Sequence, residues 1–95
     1  MNNSEIIMQN SVLLYQQGIL KITADGAIEQ IHTFQAWRQL GFLVKKGEHA
    51  IAKFPIWNYA KKPPKDAIID EFRPHYYMKM SSFFTESQVE LIHHE

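Results

Sequence analysis

The chain has 95 residues, 45% of them hydrophobic and 13% aromatic, which is the composition of one small folded domain over residues 1–95 and lies far from that of a disordered segment. It contains no cysteine, which excludes a disulfide framework, thiolate metal ligands and a thiol nucleophile, and it fits a cytoplasmic location. Ten basic and ten acidic side chains cancel, so net charge offers no whole-surface attraction to nucleic acid.

No run approaches the ~18 apolar residues of a membrane span, and Asn2, Asn3, Ser4 and Glu5 argue against a secretory leader. Residues 4–17 carry Ile6, Ile7, Met8, Ser11, Val12, Leu13, Leu14 and Tyr15 ahead of Gly18, which predicts an amphipathic core helix with Ser4 as its cap. Ala24-Asp25-Gly26 separates two short β-branched runs, residues 19–23 and 27–31, and Asp-Gly in that setting signals a hairpin. Ala27, Ile28 and Ile31 also suit a single helix over residues 25–40. Thr33, a good N-cap, favours a break before it.

From Thr33 the pattern is helix, stop, short strand, turn and long strand. Phe34, Trp37 and Leu40 recur at helical spacing, a triplet far more often core than platform, which assigns Trp37 to the core, and Gly41 supplies a left-handed C-terminal residue. Val44-Lys45-Lys46-Gly47 then places two cations at the tip of a turn. Charge is unevenly spread here: Arg38, Lys45, Lys46, Lys53, Lys61, Lys62 and Lys65 fall between residues 33 and 65 against the single acid Glu48.

In the strand that follows, parity puts Ala50, Ala52, Phe54 and Ile56 on one face and Ile51, Lys53, Pro55, Trp57 and Tyr59 on the other. Pro55 marks an edge or a bulge. Lys61-Lys62-Pro63-Pro64-Lys65-Asp66 reads as a mobile connection, after which residues 72–83 form a second strand. Its parity sets Phe72, Tyr76, Met78 and Met80 apart from Arg73, His75, Tyr77 and Lys79. At most one of Phe83 and Phe84 is then buried. Thr85-Glu86-Ser87-Gln88 is a capping box that predicts a short helix to about Ile92.

Single-stranded nucleic acid is held by cations along its phosphates and by aromatic rings under its bases. If the two long strands are neighbours, Lys53, Trp57 and Tyr59 lie beside Arg73, His75, Tyr77 and Lys79 on one such surface, with Lys45 and Lys46 at its rim. A solvated sheet face with incidental aromatics has the same composition. Other chemistry finds little support. His93 and His94 diverge by roughly 100° on a helix and lack further ligands at compact spacing, so neither metal nor cofactor is expected. There is no Gly-rich phosphate loop and no nucleophile elbow, and Asp70-Glu71 is the only adjacent acidic pair, so a non-catalytic protein is expected.

Thr33, Phe34, Trp37, Leu40, Gly41, Val44, Lys45, Lys46, Gly47 and Glu48, followed by a strand, resemble the N-terminal single-stranded-DNA-binding domain of the ArdC antirestriction family. A second block, Phe83-Phe84 through Ser87-Gln88, follows in the family's order, so that the resemblance covers about two thirds of the chain. It implies a DNA-binding module from a plasmid, phage or other mobile element that shields incoming DNA. The family's metallopeptidase motif HExxH is absent, and that activity is not carried over. The expected fold is α+β, a small antiparallel sheet with helices packed on its apolar face. A reading of another class is a protein-interaction module that inhibits a host nuclease or defence complex through the same surface.

Overall fold

The computed structural model describes residues 1–62 and 72–92. Helix α1 (Asn3–Gln16) is capped by Asn2, not Ser4: the Asn2 side chain accepts from the Glu5 amide at 2.8 Å, so the helix begins earlier than the sequence suggests. At its other end Gly18, at φ +79°, closes a Schellman motif, donating to Tyr15 while Ile19 donates to Leu14. That turn drops Leu20 into the interior, where it is almost fully buried.

The Asp-Gly hairpin forms in abbreviated shape. Gly26 donates to Thr23 and Thr23 to Ala27, but only Ile22 and Ile28 bridge, and no strand runs over residues 19–23. Thr23 also donates its hydroxyl to Asp25, which lowers the carboxyl's pKa, with the Ala27 amide second. Past the hairpin, β1 (Ile31–His32) is short and α2 (Phe34–Gln39) is separate, so the single long helix does not exist. Thr33 caps α2 through the Ala36 amide at 3.2 Å.

Trp37 is 3% exposed, but Phe34 and Leu40 are exposed and not core. Six helical residues give α2 under two turns, and only the indole side meets β1 and β2. The Trp37 ring meets His32 and Phe42 edge-on at 4.7 and 5.4 Å, and its Nε1 donates to the Phe84 carbonyl at 2.9 Å.

Two antiparallel sheets complete an α+β fold. One has the order β1-β4-β3, from β3 (Ala52–Ala60) and β4 (His75–Thr85), and the other joins β2 (Phe42–Val44) to β5 (Val89–Leu91). The residues before β5 do not continue as a helix to Ile92. After a single 3-10 turn (Glu86–Gln88) the chain becomes extended, because Gln88 turns inward and β2 offers a strand to pair with. Gln88 Oε1 accepts from the Thr85 amide at 2.9 Å and Nε2 donates to the His49 carbonyl at 2.6 Å. One buried amide thereby ties β4, the 3-10 turn and the segment before β3 together.

The main core is Leu14, Leu20, Ile31, Phe54 and Phe83, with Ile6, Ile7, Ile51 and Ile56 packed around it. Phe54 and Phe83 stack in parallel at 3.9 Å, and each buried ring contributes about 2 to 3 kcal/mol. Ile51 belongs to this core and not to the polar face, since it precedes β3 and donates to the Phe83 carbonyl at 2.9 Å. Phe83 is fully buried and Phe84 half-buried. Among the described residues no helix is long and apolar enough to cross a membrane.

Candidate nucleic-acid interface

The alternation along β3 is the one its sequence predicts: Phe54 is buried, Ala52, Ile56, Asn58 and Ala60 are half-buried, and Lys53, Pro55, Trp57 and Tyr59 are exposed. Opposite residues in an antiparallel pair share a face, so register decides what joins them. Ala52 pairs with Phe83, Trp57 with Met78 and Tyr59 with Tyr76. The surface therefore carries Lys53, Pro55, Trp57 and Tyr59 beside Ser82, Met80, Met78 and Tyr76.

His75, Tyr77 and Lys79 lie on the other side, opposite Ala60, Asn58 and Ile56. The expected single platform is thus split between two faces. Tyr76, Met78 and Met80, expected in the core, are exposed; Tyr76 reaches 70% and Met80 62%. Strand length explains both corrections. Going out from Phe83, the odd positions of β4 leave the core at Ser81 and reach solvent at Lys79, so one parity is interior at one end of the strand and surface at the other. The outer halves of β3 and β4 form a two-stranded ribbon with aromatic rings on both sides.

On the first face, Tyr59 and Tyr76 lie 4.8 Å apart with rings tilted at 45°. Trp57 is held at both ends: its amide donates to Asn3 Oδ1 at 2.8 Å, its carbonyl accepts from Asn3 Nδ2 at 3.0 Å, and its indole donates to the Met1 carbonyl at 3.1 Å. A cleft of about 660 Å³ opens between the start of α1 and this aromatic group, lined by Met1, Asn2, Asn3, Trp57, Tyr59 and Tyr76 together with Asn58. Among the described residues no acidic side chain lines it. Trp57 is still 40% and Tyr59 47% exposed, which suits stacking.

Lys45 and Lys46 are exposed, as expected, at a turn in which Glu48 donates to Lys45 and Gly47 takes φ +86°. Lys45 Nζ also donates to the Ser87 carbonyl at 3.2 Å, which docks the turn onto the segment before β5. Arg73 precedes β4 and donates to its neighbour Phe72, while the His75 ring lies 2.7 Å from the Arg73 carbonyl and 6.0 Å from Tyr77. His75 and Tyr77 share the second face.

His32 is a histidine whose titration the fold perturbs. Desolvation beside Trp37 lowers its pKa, and the Glu86 charge opposes the shift. Sequence reasoning missed Tyr76, Met78 and Met80 as surface residues; counting cross-strand register from the pair Ala52 and Phe83 would have found them. The lysine-proline connection from Pro63, with Lys65, Asp66 and the Asp70-Glu71 pair, and the C-terminal His93-His94-Glu95 lie outside the described residues. No family model matches the chain, and neither a curated protein nor a solved structure matches it.

Proposed function

We propose that this protein is a non-catalytic single-stranded-DNA-binding module of the kind found at the N-terminus of ArdC-like antirestriction proteins, acting in the cytoplasm to protect DNA carried by a mobile element. The observation that carries the reading is the ribbon face on which Lys53, Trp57, Tyr59 and Tyr76 stand exposed together. A cation and exposed rings along one face offer phosphate neutralisation at one end and base stacking at the other, and every base has a face to stack. Lys45 and Lys46 add charge at a separate turn. The sequence resemblance supports the same reading independently of the ribbon.

Titration of labelled single-stranded and duplex DNA at two salt concentrations tests it. Preference for the single strand, with affinity falling steeply as salt rises, is the expected result, because each neutralised phosphate releases counterions. Equal or absent binding to both would remove the reading. Met78 and Met80, exposed on the same face, favour a second one: a protein-interaction module that inhibits a host nuclease or defence complex, since methionine adapts to irregular apolar partners. A shallow salt dependence with a protein partner distinguishes it.

A further inference from the structure

The two long edges of the β3–β4 ribbon are not equivalent. Phe83 turns its carbonyl toward the β3 side, where Ile51 donates to it, so by alternation Tyr76, Met78, Met80 and Ser82 turn their amides and carbonyls the opposite way. Phe84 conforms, with its carbonyl accepting from the Trp37 indole. On that side β1 pairs only with Phe84 and Thr85. Four outward residues, from Tyr76 to Ser82, therefore face no strand among the described residues.

The outer edge of β3 is closed. Its outward residues include Trp57, whose amide and carbonyl are both taken by the Asn3 side chain, and Pro55, which has no N–H to offer. Exposed strand edges are ready templates for another strand, and natural proteins block those they do not use. Here one edge is blocked twice and the other is left open. A groove of about 310 Å³ flanks the open edge, with Thr33, Phe34 and Gln35 of the α2 start on one side and Met80, Ser81 and Ser82 on the other.

We propose that the open edge of β4 pairs antiparallel with β4 of a second copy of this chain, about a two-fold axis at Met78. Side-chain chemistry selects both partner and register. Centred on Met78, the pairing sets Met80 against Tyr76 of the second copy and Lys79 against Tyr77, giving sulfur–aromatic and cation–π contacts on opposite faces. Centring on Lys79 would oppose two lysines. Centring on Met80 would drive Tyr76 against Phe84, which His32 already pairs, and centring on Tyr77 would set Lys79 against His75. The open edge is apolar at Tyr76, Met78 and Met80, all exposed in the single chain, and the copy supplies apolar neighbours for each. The product is a continuous β3-β4-β4-β3 sheet that places two Trp57 faces on one surface. The pairing stands whether or not the surface binds DNA.

The full chain in sedimentation velocity should show a concentration-dependent dimer. Met78→Pro, which leaves the ladder to β3 untouched because its amide points outward, should weaken self-association by at least about tenfold with an unchanged far-ultraviolet circular dichroism spectrum. A cysteine-free chain allows a second measurement that does not depend on that variant folding. Mild oxidation of Met78→Cys should give a disulfide-linked dimer, since the axis brings position 78 opposite itself, and Tyr77→Cys should not. A wild-type chain that stays monomeric at every concentration overturns the proposal in favour of a foreign strand. A dimer that Met78→Cys fails to cross-link overturns it too.

Discussion

Trp57 and Met78 stand directly opposite one another across β3 and β4, both exposed on the face that carries Lys53 and Tyr59. A strand of DNA lying on that face, as proposed, would meet Trp57 and then the cross-strand pair Tyr59 and Tyr76, with Tyr77 and His75 behind it. Trp57→Ala is therefore expected to weaken single-stranded-DNA binding by roughly 1 to 3 kcal/mol and Tyr77→Ala by much less. Fluorescence titration of the two variants checks this, and equal losses would place the bases on both sides of the ribbon.

Lys45→Ala combined with Lys46→Ala should reduce DNA affinity and flatten its salt dependence while leaving the thermal midpoint nearly unchanged. Both lysines are exposed, and the hydrogen bond that Lys45 donates to the Ser87 carbonyl lies at the surface, where its removal costs little. Unchanged affinity at low salt would remove this turn from the binding surface.

Trp37→Ala should destabilise the fold by roughly 3 to 5 kcal/mol, because it empties the space between α2, His32 and Phe42. Trp37→Phe keeps most of the ring but removes the Nε1 donor and should cost about 0.5 to 1.5 kcal/mol, since the Phe84 carbonyl still faces its β1 partner His32. Urea denaturation measures both. A stable Trp37→Ala protein with impaired DNA binding would reassign the indole to the interface.

Gln88→Ala should cost about 1 to 3 kcal/mol, chiefly because it strands the buried Thr85 amide, while the His49 carbonyl belongs to an exposed residue and can turn to water. Gln88→Glu keeps the acceptor for Thr85 but sets a carboxylate against the His49 carbonyl and near Glu48, so it should be no better tolerated. Denaturation midpoints of the pair decide whether the amide acts as a donor as well as an acceptor.

Stability should fall as pH drops below the ordinary histidine value of about 6.5. Desolvation lowers the folded pKa of His32 below the unfolded one against the opposing Glu86 charge, and between those two values the unfolded chain binds more protons. The contribution is intact above the unfolded value and is lost as pH falls toward the folded one. His32→Gln should remove this dependence from a plot of unfolding free energy against pH, and an identical slope in the variant would show that another group is responsible.

Local chemistry made much of this architecture legible. Thr33 as a cap, Gly41 as a stop, Gly47 in a turn and Pro55 on an edge each follow from backbone constraints that act within a few residues. Parity also separated Phe54 from Trp57 correctly. What parity could not supply was the partner of each strand face, because alternation within β4 is the same whether Phe83 or Met80 is taken as interior. Only the register, Ala52 with Phe83, resolves it. The helix expected after Thr85 failed for a similar reason: a capping box describes one turn, and pairing of Val89 with Val44 claims the next residues.

That pairing of β2 with β5 joins segments on either side of the whole β3–β4 hairpin. In kinetic terms, pairing of β3 with β4 shortens the loop that β2 and β5 must close, so the two-stranded sheet is expected to form late in folding. Val44→Ala should then speed unfolding while leaving the refolding rate almost untouched, whereas Phe83→Leu should slow refolding. The order of assembly follows from the position of three short strand residues, and stopped-flow measurement of both limbs would read it directly.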